Sequence, residues 1–413
     1  MSSSLHQRWK VLAAGVAANV SFSCVVGGIP ATAVYLRSSY QLSDTSLGFA
    51  LGILGLGIAL SEIPWGLLTD RWGDRPVLLT GLLSVAITLL LLAAFGSHSP
   101  TALGLCSGLF IAGLLGSSVN GASGRAIMLW FAREQRGLAM SIRQTAVPGG
   151  YALGAVLLPW LAHHYGFKAV FAVAGALCLI SYALVGCWIH EPPMAVTTKV
   201  SRGNPLRDGQ VWRTVAAISL LCVPQFAVLT YAAVFFHDVI GLQVTTVSII
   251  LAVVQLGAIV GRLWSGRWTD RHNNRRPYLK GCALFTALAF TGLSGAVHWL
   301  TVPSSLASVV LPVALLLAGV MTSIWHGVGY AELATQAGAE RSGTALAMGN
   351  TGVFLVLFGT PIVASALVAH WGWGTLWLGC AVCGVAAAGL FPRVVRSASP
   401  SSASIPEPQV VGR

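Results

Sequence analysis

Acidic residues are scarce in this chain. Only 12 Asp and Glu occur in 413 residues, and all charged residues together make up 9% of it. A soluble domain carries about 25%, so a folded chain of this composition could not cover itself in water. With 55% hydrophobic residues and a mean hydropathy of +0.76, its main solvent is a lipid bilayer. The shortage also removes function classes. No paired carboxylates, Ser–His–acid set or cluster with metal-ligand spacing occurs, which speaks against a membrane enzyme and a metal site. A glycine-rich phosphate loop with its lysine is missing too, so ATP hydrolysis is not the drive. No soluble output domain is visible, against a membrane sensor. The eight cysteines sit mostly inside apolar segments and read as small packing residues. Cys380 and Cys383 have no second pair near them, and His163–His164 stands alone in a turn.

What is present is long apolar sequence. About 20 apolar residues cross a bilayer, and the chain offers twelve such spans, at about 11–36, 46–67, 77–96, 101–128, 138–162, 168–189, 212–236, 245–266, 278–299, 305–330, 343–368 and 373–394. The first is too long for a signal-peptide core. Turn-like breaks such as Ser97–Pro100 and Pro303–Ser305 separate spans. After His190-Glu191 a tandem Pro192-Pro193 ends span six. The expectation is an all-α membrane protein of two six-helix bundles, residues 1–190 and 212–396, with a cytoplasmic linker at 191–211 and a disordered Ser/Pro-rich tail at 397–413. The net charge of +12 would point to nucleic acid in a soluble protein, but its distribution decides otherwise. Of the 24 Lys and Arg, Arg37 and Lys168 fall on one side, Arg143 and Arg262 fall within spans, and the remaining 20 fall on the other side. That bias places both termini in the cytoplasm, in a multi-pass protein of a bacterial inner (plasma) membrane, with a bilayer and a small-molecule substrate as partners and no nucleic acid.

The halves repeat one another. Gly66, Thr69, Asp70 and Arg71 close span two, and 200 residues later Gly266, Thr269, Asp270 and Arg271 close span eight. A shift of 206 pairs Glu134 and Gly137 with Glu340 and Gly343, Gln144 with Asn350, Asn120 with His326, and Tyr165-Gly166-Phe167 with Trp371-Gly372-Trp373. The first charged turn, through Gly73, resembles the Gly-x-Leu-x-Asp-Arg-x-Gly signature of the major facilitator superfamily of secondary transporters; the second has Trp268 and Asn273 in two of its places. Membership would imply parallel six-helix halves that rock around a central site, commonly as a monomer. It would also imply that Asp70, Arg71, Asp270 and Arg271 act in gating, with Asp70 facing the positive end of a neighbouring helix.

Ionisable side chains inside a membrane are costly and therefore functional candidates. Arg262 resembles the span-eight arginine of the monocarboxylate and oxalate–formate branches, which meets the substrate carboxylate; a guanidinium fork suits that partner. In the monocarboxylate branch an aspartate precedes it by one turn, where this chain has Ala258. Arg143 in span five would stand at similar depth, and two cations there call for an anion or acid between them. Glu62, the mate of Arg262 in span two, is the leading proton-coupling candidate, followed by His326, whose ordinary titration lies near neutrality. Structural roles, as gate salt bridges or a hydrogen-bonding position, are the alternatives for each. Gln144, Gln255, Asn19, Gln225, Asn350 and Trp325 complete the substrate-binding set, although polar groups at mid-span also tie helices together. No bound cofactor is expected; a proton gradient is a candidate drive. The leading expectation is a transporter for a small organic anion, a carboxylate, working by proton coupling or exchange. The alternative is a proton-driven exporter of drugs or other lipophilic cations, which would want an acid deep in the N-terminal half; span one has none.

Overall fold

The computed structural model describes residues 2–42, 44–95, 101–190, 203–242, 244–299 and 306–392. The turns at 97–100 and 303–305, most of the linker, the tail, and the side chains of His237 and Asp238 lie outside the described residues. The helices are α1 (Ser2–Ala31), α2 (Ala33–Tyr40), α3 (Asp44–Trp72), α4 (Asp74–Phe95), α5 (Ala102–Gly116), α6 (Ser118–Trp130), α7 (Arg136–Trp188), α8 (Gly209–Val234), α9 (Val244–His272), α10 (Arg275–Trp299), α11 (Ala307–Met321), α12 (His326–Ala337) and α13 (Ser342–Leu390).

Among the described residues ten stretches are long and apolar enough to cross a membrane, and two of them, Arg133–Trp188 and Ala339–Leu390, run to 56 and 52 residues. A straight helix of that length would reach about 80 Å, far beyond a hydrocarbon core of about 30 Å. Each is therefore two crossings, folded at Gly166 (φ 71) and Gly372 (φ 80), which adopt a backbone closed to most other residues. These glycines are mates in the repeat, and each replaces a connecting loop with a single residue. Twelve crossings result. The charged turns are equally tight: Gly73 (φ 91) links α3 to α4, and Asn273 (φ 49) occupies the corresponding place before α10. Asn tolerates the left-handed region better than most side chains, so the second turn keeps its geometry without its glycine.

Spans four and ten differ from expectation, since each is two helices. α5 breaks from α6 at Ser117, and α11 from α12 over 322–325. Side chains take up the carbonyls freed there: Trp65 Nε1 donates to Leu114 O at 2.7 Å, Trp325 Nε1 to Thr322 O at 2.7 Å, and Ser265 Oγ to Ile324 O at 2.7 Å. α8 starts at Gly209, inside the stretch read as linker, because Asp208 accepts from Gln210 N at 2.7 Å and caps the helix.

α1 to α7 pack into one six-crossing half around Val25, Leu89, Leu109 and Phe171. α8 to α13 form the other, around Ile218, Trp325, Phe290 and Trp377. Large apolar side chains cover the outside: Leu103, Val156 and Leu288 are 81%, 76% and 70% exposed. In water such a belt would drive aggregation; in a bilayer it is the solvated face. The chain is a multi-pass integral membrane protein.

Candidate functional site

The halves meet along α3 against α13 and α9 against α7. At the end bearing the charged turns, Asp70 accepts from Gly343 N and Thr344 N at 2.9 Å each and from the Thr344 hydroxyl. Asp270 accepts from Gly137 N at 3.0 Å and Leu138 N at 2.8 Å. Each acid, at the end of one half's helix, caps the start of a helix in the other half, where free N–H groups and the helix dipole favour a carboxylate. Close approach makes this possible: a Cβ on Gly66 would lie 2.6 Å from Ala347 Cβ, and one on Gly137 2.5 Å from Asp270 Oδ1.

The arginines serving these latches are not those expected. Arg71 and Arg271 are exposed. Neighbours in sequence diverge by about 100° around a helix, so a residue beside the acid points away from the seam. Instead Arg125 of α6 sits between two acids, Nε 3.3 Å from Asp70 and Nη1 donating to Asp74 at 2.8 Å. Arg275 Nη2 donates to Asp270 at 2.7 Å and to Arg133 O at 2.8 Å. A second helical acid is also buried: Glu332 in α12, 7% exposed, accepts from Arg276 Nε at 2.7 Å and Gln336 Nε2 at 3.1 Å.

Eight residues deeper, about 12 Å along each helix, stand Glu62 and Arg262. Glu62 is fully buried and its oxygens accept from Asn120 Nδ2 in its own half and from Asn350 Nδ2, at 3.3 Å, in the other. Tyr330 donates to Asn350 Oδ1 at 2.7 Å, extending the chain. Arg262, 4% exposed, donates from Nε to Ser323 O at 2.9 Å and from Nη1 to Gln144 O, across the seam, at 2.8 Å. Arg143, 2% exposed, donates from Nε to Ser123 Oγ at 3.1 Å and from Nη2 to Asn120 O and, at 3.4 Å, to Asn19 Oδ1.

One cavity between the halves collects most of the expected residues. Arg143, Gln144, Gln225, Gln255, Arg262, His326 and Asn350 line it, with Asn120, Tyr151 and Tyr330 and an apolar wall that includes Pro148, Phe226 and Phe354. Among the described residues no carboxylate lines it. Gln225 Oε1 is buried there without a hydrogen-bond partner, an acceptor open to a ligand. His326 stacks on Trp325 at 4.1 Å and its Nδ1 lies 3.1 Å from Ser323 O.

Two of the expected substrate ligands stand elsewhere. Trp325 is fully buried in the core of its half, with its N–H already bonded to the broken helix turn. Asn19, 1% exposed, does not reach the cavity and instead orients Arg143 and donates to Ser123 Oγ at 2.7 Å. Gly52 and Gly55 face open space, whereas Gly57 lies against the Phe110 carbonyl. His163 and His164 pack edge-on at 4.7 Å, and no three potential metal ligands come together among the described residues. Tyr330 was not singled out from the sequence because an aromatic at a span's end reads as an interfacial anchor.

Two half-bundles latched at one end around a polar cavity define the architecture of an alternating-access carrier. The chain belongs to the Major Facilitator Superfamily, whose family model matches residues 15–311 and 245–411. It is 30% identical over 390 residues, 93% of this chain and 85% of the relative, to an uncharacterized MFS-type transporter of Mycobacterium tuberculosis. Over 158 residues, 37% of this chain and 35% of the relative, it is 32% identical to a probable galactarate/D-glucarate transporter of Escherichia coli. The solved MFS proton:xylose symporter XylE shares the fold with a TM-score of 0.74 at 17% identity, covering 94% of this chain and 96% of that one.

Proposed function

We propose that the protein carries a small organic anion, of the carboxylate class, across the membrane. The observation that carries the reading is the pair of buried guanidinium groups, Arg143 and Arg262, facing one cavity with no carboxylate among its described lining residues. Glu62, buried behind the wall, offsets the charge of Arg143, whereas Arg262 is held on two backbone carbonyls; a buried cation without a counter-ion is costly, and an anion entering the cavity relieves it. The same charge disfavours a lipophilic cation. Gln225 Oε1 and the amides of Gln255 and Gln144 offer neutral hydrogen-bonding partners for substrate hydroxyls. The partial similarity to a galactarate/D-glucarate transporter supports a hydroxylated acid. Transport proceeds by opening the latched end and closing the opposite one, either with protons or in exchange for a second anion. Glu62 is the proton carrier in the first case, since its buried oxygens tie the halves through Asn350.

The test is thermal stabilisation of the purified protein across small carboxylates and lipophilic cations, because ligands stabilise the folded state by mass action. Carboxylates are expected to raise the melting temperature of the wild type, and to lose that effect in Arg262→Ala and most of it in Arg262→Lys, which keeps the charge without the planar fork. Stabilisation by lipophilic cations alone would overturn the anion reading.

A further inference from the structure

Arg262 reaches a backbone carbonyl that a proline has made available. In an α-helix the N–H of residue 148 would bond Gln144 O, but Pro148 has no N–H and its ring crowds that carbonyl. Gln144 O is thus left without its helical donor inside a membrane, where such a group must find a partner. Its partner is Arg262 Nη1 at 2.8 Å, from the other half, while Arg262 Nε is held on Ser323 O at 2.9 Å, at the α11–α12 break. The guanidinium therefore bridges an opened turn in its own half and an opened turn in the opposite one. The repeat shows how specific this is. Glu62 stands at the matching place of the first half and crosses to Asn350, the mate of Gln144, but there it meets a side-chain amide. Position 354, the mate of 148, is Phe354, which has its N–H and frees no carbonyl.

We infer that Pro148 and the Gln144 carbonyl form a docking point for Arg262 that braces the halves of the empty carrier, and that an anionic substrate must displace this brace to bind. The inference rests on the anion reading for its second half only. A carboxylate that takes the Nη1–Nη2 edge of the guanidinium draws on the Nη1 group that Gln144 O holds, so the two compete for its placement. A carboxylate is the stronger acceptor, so binding exchanges a contact between halves for a contact with substrate. Loading then loosens the seam at the depth of the site, while the latches at Asp70 and Asp270 stay closed until the halves move. An empty carrier keeps the brace and is slow to reopen at the latched end, which favours exchange over leak.

Pro148→Ala separates the two roles of Arg262: the substitution restores a backbone N–H that satisfies Gln144 O within α7, leaving the guanidinium in place but unbraced. The readout is amide hydrogen exchange in the full-length protein at Gly137, Leu138, Gly343 and Thr344, whose N–H groups are bonded across the seam by Asp270 and Asp70. Without ligand, Pro148→Ala and Arg262→Ala are expected to exchange there about tenfold or more faster than wild type, the scale of one hydrogen bond to a charged group. With D-glucarate as probe, ligand is expected to raise latch exchange in wild type toward the rate of ligand-free Pro148→Ala, and to leave exchange in Arg262→Ala unchanged. Wild-type exchange in Pro148→Ala would overturn the brace, and D-glucarate binding that leaves wild-type latch exchange unchanged would overturn the competition. Should Pro148→Ala fail to fold, Arg262→Lys, which cannot reach both carbonyls at once, gives the same exchange readout. If no carboxylate in the panel binds wild type while Pro148→Ala still exchanges faster, the anion reading and the competition fail together and the brace stands.

Discussion

The seam between the halves can be wedged at one atom. Gly66 of α3 faces α13 so closely that a Cβ there would lie 2.6 Å from Ala347 Cβ, 2.9 Å from Gly343 O and 3.0 Å from Thr344 Cα. Ordinary contact begins near 3.4 Å, so Gly66→Ala must part the helices by roughly 0.8 Å at Ala347 or strain both backbones. Overpacking of this kind costs about 1–3 kcal/mol. The cost falls only on the state in which the seam is closed, since the contact is between halves. With 1.4 kcal/mol to a factor of ten, the closed-to-open ratio at the latched end should fall by about 5- to 150-fold. The assay is amide exchange at Gly343 and Thr344, whose N–H groups report the Asp70 latch. Gly55→Ala is the control, because nothing lies within 4 Å of its added Cβ in the same helix; both substitutions gain the same helix propensity. Equal exchange in the two variants would refute the argument that α3 and α13 close on each other at this glycine.

Two further perturbations separate roles at the site. Glu62→Gln leaves one acceptor where two amides, Asn120 and Asn350, now donate, and it removes the titratable group. Uptake driven by a pH gradient should be lost while substrate exchange survives, and unchanged pH-driven uptake in proteoliposomes would clear Glu62 of proton carriage. Trp325→Ala empties a fully buried indole site in the C-terminal half. It should cost about 3–5 kcal/mol of stability with substrate affinity retained by the molecules that fold; a selective loss of affinity would restore Trp325 as a ligand.

The fold was legible in the sequence wherever hydropathy decides it. Twelve crossings follow from run length, and the pairing of Gly166 with Gly372 was visible as a repeat before either was seen to fold a helix back on itself. The breaks inside spans four and ten were not visible, because they lie within apolar sequence and are held by partners such as Ser265 and Trp65 from another helix. At the site, Arg143, Arg262, Gln144 and Asn350 could be placed together by the 206-residue shift and by rarity of charge. Which arginine would serve each latch could not. Arg125 and Arg275 are brought to Asp70 and Asp270 by packing and by a tight turn, and nothing in local spacing prefers them to Arg71 and Arg271. Glu332 was passed over because it lies just beyond the apolar run, where an acid reads as solvated. Pro148 read as one more helix-bending residue, because the group that answers its missing N–H lies 118 residues away from the carbonyl it frees.

The two latches have the form of an isologous interface, in which residue i of one unit meets j of the other and j meets i. Asp70 meets Gly343 and Thr344, and Asp270 meets Gly137 and Leu138, as two identical six-span units would bind about a two-fold axis. A lesion in one latch leaves its mate intact, so the closed end weakens in two steps. About 12 Å deeper, at 1.5 Å per residue, that equivalence ends: the same register holds an acid on one side and a guanidinium on the other. The boundary between the part of the seam that is duplicated and the part that is polarised runs between those two depths, and the polarised part adjoins the cavity, with Arg262 on its wall and Glu62 behind the lining residues Asn120 and Asn350.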